Sequence, residues 1–93
     1  MITSKMKRRI RQELSAEKPT VWVGKEGATP QIMKEISRQL EQREVVKTKI
    51  HQTALREREA REIATKIAEQ TNSNLIEVRG HTFILYKKRK RKL

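Results

Sequence analysis

A chain of 93 residues has material for one hydrophobic core, and two independent domains are not expected. It holds no cysteine, which excludes disulfides, a thiol nucleophile and cysteine-based zinc sites, and no apolar run approaches the roughly 18 residues that span a bilayer. The net charge of +12 lies at the two ends, with five basic residues and no acid in residues 1–11 (Lys5, Lys7, Arg8, Arg9, Arg11) and six and no acid in residues 87–93 (Lys87, Lys88, Arg89, Lys90, Arg91, Lys92). Between them twelve basic residues face eleven acidic ones, an ordinary mixed surface. Single-sign clusters point to a polyanionic partner, with solubility as the plainer alternative. The basic start lacks the apolar stretch of a secretory signal, so a soluble, cytoplasmic protein with no membrane contact is expected.

Ile2, Met6, Ile10 and Leu14 recur every four residues, a spacing that predicts a helix with one apolar side, ending near Lys18-Pro19. Lys5, Arg8, Arg9 and Arg11 then point away from that side. Thr20 to Val23, β-branched and aromatic and stopped by Gly24, predicts a strand. Trp22, the only tryptophan, falls opposite Val21 and Val23; covering the first helix is the favoured role for it, and stacking on a base the alternative. Thr29-Pro30 starts a helix, threonine as N-cap and proline in the first turn. Its buried stripe is Ile32, Met33, Ile36 and Leu40, with Glu35 and Arg38 on the wet side.

Val45 to Ile50 predicts a second strand with Val46, Thr48 and Ile50 on one face and Val45, Lys47 and Lys49 on the other. A third helix is predicted from about Thr53 to Gln70, with Leu55, Ile63, Ala64, Ile67 and Ala68 inward and Glu62 spaced to pair with Lys66. The Thr71–Asn74 cluster ends it. Leu75 to Arg79 and Thr82 to Tyr86 predict strands joined by Gly80-His81, a two-residue hairpin with glycine where a type II′ turn needs positive φ. Phe83 and Tyr86 fall on opposite faces of the last strand, both as core. The order is α-β-α-β-α-β-β, one body over residues 1–86 followed by a basic, disordered tail over 87–93.

Gly24-Lys25-Glu26-Gly27 joins a strand to the helix capped by Thr29. Glycines let the backbone approach a phosphate, the helix start adds the positive end of its dipole, and Lys25 adds a mobile cation. A plain tight turn is the equal alternative. Neither the P-loop nor the dinucleotide-binding glycine pattern fits here. Two histidines (His51, His81) and no aspartate build neither a zinc site nor a Ser-His-Asp triad. Glu57, Glu59, Glu62 and Glu69 interleave with Arg56, Arg58, Arg61 and Lys66 as on a solvated helix face. No enzyme, no metal and no cofactor is expected.

P-T-V-W-V-G-K-E-G-A-T at 19–29, V-V-K-T-K-I at 45–50 and E-V-R-G-H-T-F-I-L-Y at 77–86 together resemble the CRM domain, the chloroplast RNA splicing and ribosome maturation module. The resemblance covers roughly residues 10–86. It implies an α/β chain of the α+β two-layer type, with a four-stranded mixed sheet similar to the C-terminal domain of translation initiation factor three. It also implies RNA binding, with the family's loop carried onto Gly24, Lys25, Glu26 and Gly27. Glu26 departs from the neutral amide expected there, and its carboxylate repels phosphate. Stand-alone members are associated with precursors of the large ribosomal subunit, and plant relatives carry the domain in larger proteins that assist intron splicing.

The expected function is therefore binding of structured RNA, ribosomal RNA during large-subunit assembly foremost. A DNA-compacting basic protein is the alternative drawn from the charged ends alone, since phosphate contacts carry no sequence information. The candidate contacts are Gly24, Lys25, Glu26, Gly27 and Thr29 at the loop, Lys47 and Lys49 on the sheet, Lys5, Arg8, Arg9 and Arg11, and Lys87 to Lys92 in the tail.

Overall fold

Local signals set most of the elements. The computed structural model describes residues 2–55 and 59–89, with α1 at Ser4–Leu14, β1 at Val21–Val23, α2 at Pro30–Arg43, β2 at Val45–Ile50, a 3-10 turn at Gln52–Leu55, α3 at Ala60–Gln70, β3 at Asn74–Arg79 and β4 at Thr82–Tyr86. Thr3 caps α1 by accepting from the Met6 N–H (3.1 Å), and Thr29 caps α2 by accepting from the Ile32 N–H (3.2 Å), with Pro30 in the first turn. The α2 helix ends on Glu44 in the left-handed region (φ 66), which turns the chain directly into β2. Gly80 (φ 58) opens the hairpin loop between the paired residues Arg79 and Thr82.

The sheet order is β1-β2-β4-β3, with β1 parallel to β2 and the other two pairings antiparallel. This is a mixed four-stranded sheet. Alternation along the strands sends Val21, Val23, Val46, Ile50, Phe83 and Leu85 to one face, where Ile36 and Leu40 of α2 and Ile63, Ala64 and Ile67 of α3 bury them. Those two layers hold the main core. On the opposite face α1 adds a partial third layer, in which Ile10 and Leu14 pack on Ile76 and Ile84, flanked by Ile2, Val45 and Tyr86. A bulge in β3 sets both Ile76 and Glu77 against Ile84, leaving Leu75 and Val78 on the main-core side. Phe83 and Tyr86 join opposite cores, as their alternation predicts.

Four expectations are corrected. The first helix stops at Leu14, short of Lys18-Pro19, because the next residue that could continue its apolar stripe is Lys18 and because the Lys47 ammonium takes up the carbonyls of Leu14 (2.7 Å) and Glu17 (2.8 Å). The third helix begins at Ala60 and not near Thr53: the Thr53 N–H donates to the His51 ring (3.3 Å) and folds Gln52–Leu55 into a 3-10 turn, while 56–58 lie outside the described residues. Glu62 and Lys66 form no ion pair among those found in the described residues. Trp22 does not cover the first helix; among the described residues it is the exposed large apolar side chain, at 54%.

Candidate nucleic-acid interface

The loop after β1 is a tight turn closed by the Gly27 N–H donating to the Gly24 carbonyl (2.9 Å). Gly27 has φ 72, a left-handed backbone that glycine adopts without strain, so the turn itself requires glycine there. Gly24 differs. Its φ is outside that region, and a Cβ built on it meets nothing within 4 Å, so neither the turn nor packing demands the missing side chain. A side chain at Gly24 would project into open space.

The helix start offers less than expected. Thr29 donates its own N–H to Gly27 (3.0 Å), its hydroxyl takes the Ile32 N–H, the Met33 N–H is bonded to the Thr29 carbonyl (3.0 Å), and Pro30 has no N–H. Among the described residues, the main-chain N–H groups of Lys25, Glu26, Ala28 and Gln31 have no protein acceptor. What the site offers an anion is therefore the loop amides and the Lys25 ammonium, with the α2 dipole behind them. The Glu26 carboxylate stands exposed in the same loop.

Lys47 and Lys49, expected to act together, separate. The Lys47 ammonium donates to the Leu14, Ser15 and Glu17 carbonyls and caps α1 (2.7, 3.4 and 2.8 Å). Lys49 is paired across the sheet with Trp22, and its ammonium lies 5.2 Å from the indole centroid, a cation–π contact. Register places Lys49 level with Thr82, and Thr82 level with Arg79, all pointing to the α1 side. Arg79 and Thr82 carry no local signal of a binding role; only the pairing of all four strands brings them into one row with Trp22.

The basic ends are not one patch. Lys5, Arg8 and Arg9 are exposed on α1 and Arg11 is half-buried; Arg9 pairs loosely with Glu13 (3.8 Å). The tail leaves β4 at the end where Tyr86 pairs with Val45, while the glycine loop follows Val23 at the other end, level with Ile50. Roughly 17 Å of strand separates them. The first tail residues hydrogen-bond to the body: the Lys87 N–H donates to the Glu44 carbonyl (2.8 Å), its ammonium to the Thr71 carbonyl (3.1 Å), and the Arg89 guanidinium to the Gln42 carbonyl (3.1 Å). Lys88 is exposed, and Lys90, Arg91 and Lys92 lie outside the described residues. On α2, hydrogen bonds from Arg38 and Gln39 hold the Glu35 carboxyl at about 2, against an ordinary 4.5, and Gln39 ties this cluster to Thr20 at the entry to β1.

No helix among the described residues is long and apolar enough to cross a membrane, and no group of three His, Cys, Asp or Glu among them could hold a metal ion. A probable RNA-binding protein of Methanocaldococcus jannaschii is 39% identical over 88 residues, covering 95% of this chain; the chain spans 65% of that relative's length. A probable RNA-binding protein of Bacillus subtilis is 32% identical over 90 residues, covering 97% of this chain and 92% of the relative. The solution structure of a hypothetical protein from Staphylococcus aureus matches with a TM-score of 0.77 at 28% identity, over 100% of this chain and 95% of the other. The model of the CRS1 / YhbY (CRM) domain matches residues 2–87, a span that includes the glycine loop and all four strands, and the chain belongs to the CRS1 / YhbY (CRM) domain family.

Proposed function

We propose that this chain is a non-catalytic RNA-binding module that holds backbone phosphate on the 24–27 loop and acts on structured ribosomal RNA during assembly of the large subunit. The observation that carries the phosphate contact is Gly24: nothing among the described residues needs a glycine there, yet it sits beside three main-chain N–H groups with no acceptor among those residues and beside the exposed Lys25. Two relatives named as probable RNA-binding proteins support RNA as the polyanion. The net charge of +12 supplies the general attraction.

The test combines Lys25→Ala with Gly24→Asp. Gly27 is avoided because its left-handed backbone would be strained by any side chain, and loss of stability would obscure loss of binding. The double variant is expected to lose about 1–3 kcal/mol of affinity for structured RNA at an unchanged melting temperature. Glu26→Asn is expected to bind equally or more tightly, since it removes a repulsive charge. Wild-type affinity in the double variant would end the loop's role. Crosslinking in cells, followed by sequencing of the bound RNA, tests the ribosomal assignment, and competition by DNA of the same sequence tests the DNA-compacting alternative.

A further inference from the structure

We infer that Trp22, Lys49, Thr82 and Arg79 form a second RNA site, a platform on which an unpaired base stacks while the neighbouring cations hold its phosphates. The inference deepens the proposed function and rests on RNA being the ligand. Its starting point is register: Trp22 pairs with Lys49, Lys49 with Thr82, and Thr82 with Arg79, one residue from each strand in the order β1-β2-β4-β3. Because directly paired residues point to the same side of a sheet, the four side chains make a single row. The row lies on the α1 side, since Val21, Val23, Thr48, Ile50, Val78 and Phe83 beside them turn to the other face.

The row stays open at Trp22 and Arg79, with Lys49 and Thr82 half-buried between them, because α1 ends before reaching it. The carbonyls at the end of α1 sit on Lys47, the residue on this face one pairing step before Lys49. Trp22 is 54% exposed even with Lys49 over its ring. An open indole with one cation over its ring and a second at the far end of the row fits a ligand with both a π-face and negative charge, which an unpaired nucleotide has. An apolar peptide would bring no partner for Lys49 and Arg79. The acid that the strands place on this face is Glu77, half-buried and paired with Ile84 one step back, and the row itself contains none. The row spans three strand spacings, about 14 Å, which accommodates more than one nucleotide. It also stands at the end of the sheet where β1 enters the glycine loop, so a strand held there by its phosphates can lay its bases across the row.

The single tryptophan of the chain makes the platform its own reporter. Two RNA hairpins are compared, one with an adenine-rich loop and one with abasic sugars in that loop, so that loop phosphate charge is equal. The adenine loop is expected to quench Trp22 emission saturably and to bind about 5- to 150-fold more tightly than the abasic loop. Trp22→Ala should abolish that difference by weakening the adenine hairpin alone, and Trp22→Phe should retain most of it. Equal affinity of the two hairpins with no quenching would overturn the platform, and so would a Trp22→Ala loss shared equally by both. A concentration-dependent rise in sedimentation that Trp22→Ala removes, without base-dependent quenching, would assign the row to a second copy of the chain and also overturn it. The loop reading fails separately: if the Lys25→Ala, Gly24→Asp variant binds both hairpins as wild type does while Trp22→Ala weakens the adenine hairpin alone, the platform stands and the loop clamp does not.

Discussion

The two faces of the sheet are built from alternate residues of the same strands and end in opposite conditions. On one face two helices cover the strands, and Val23, Ile50, Phe83 and Leu85 reach zero exposure. On the other a single helix of 11 residues covers Ile76 and Ile84 and leaves Trp22 in solvent. The difference follows from width. A helix with its side chains is about 10–12 Å across, while four strands extend about 14 Å between the outer strand axes, with side chains projecting beyond. Two helices can close such a sheet; one cannot, and where it lies decides what stays open. Contacts with Ile76 and Ile84 place the body of α1 over β3 and β4, and the Lys47 cap on β2 ends it one pairing step short of Lys49, so the open part is the end of the sheet beside the glycine loop. Stability is thus concentrated on one face, which leaves the other free to carry recognition.

The largest expected effect breaks the closed face. Phe83→Ala should cost about 3–5 kcal/mol in urea denaturation, the usual range for removing a fully buried aromatic ring. That is a large part of the roughly 5–15 kcal/mol available to a small domain. Trp22→Ala, which removes a larger side chain from the open face, should change stability by less than about 1 kcal/mol. A loss at Trp22 comparable to that at Phe83 would mean that the ring is covered in solution and the two faces are alike.

A smaller effect separates two lysines that lie on one face of one strand. Lys47→Ala removes a charged donor from carbonyls at the end of α1, and about 1.5–3 kcal/mol of stability should go with it. Amide exchange should quicken in α1 before it quickens in α3. Lys49→Ala should leave the unfolding curve almost unmoved and weaken RNA binding instead. If both variants behaved alike, α1 would not be held by Lys47, and the boundary between the covered and open parts of this face would be set elsewhere.

Most of the fold was legible because its signals are local. Alternation in Val45–Ile50 and Thr82–Tyr86, the Thr29-Pro30 helix start and the Gly80 hairpin each depend on a few adjacent residues, and each appears as predicted. The departures are long-range. The end of α1 depends on a lysine 33 residues away, and the anchoring of Lys87 depends on Glu44 adopting a left-handed conformation that its residue type does not advertise. The candidate site divides in the same way. The glycine loop could be found as a pattern, helped by the family resemblance, but the exposure of Trp22 and the addition of Arg79 required the strand order and the position of α1. Bulk favours a covered tryptophan, and only the limited reach of a single helix makes this one an exception.

The smallest expected effect sharpens the comparison from within the closed face. Thr48 is fully buried between Val46 and Ile50, and its hydroxyl is the buried side-chain oxygen without a hydrogen-bond partner among the described residues. A buried hydroxyl without a partner has lost its water bonds and gained nothing in exchange. Valine has nearly the same shape, keeps the β-branching favoured in a strand, and brings no polar atom. Thr48→Val should therefore stabilise the chain by about 1 kcal/mol, read as a higher urea midpoint at an unchanged slope. RNA affinity should not move, even though Thr48 lies between Lys47 and Lys49 in sequence, because its side chain points to the opposite face. A destabilised variant would show that the hydroxyl makes a bond inside the core, and altered RNA binding would show that the two faces are not independent.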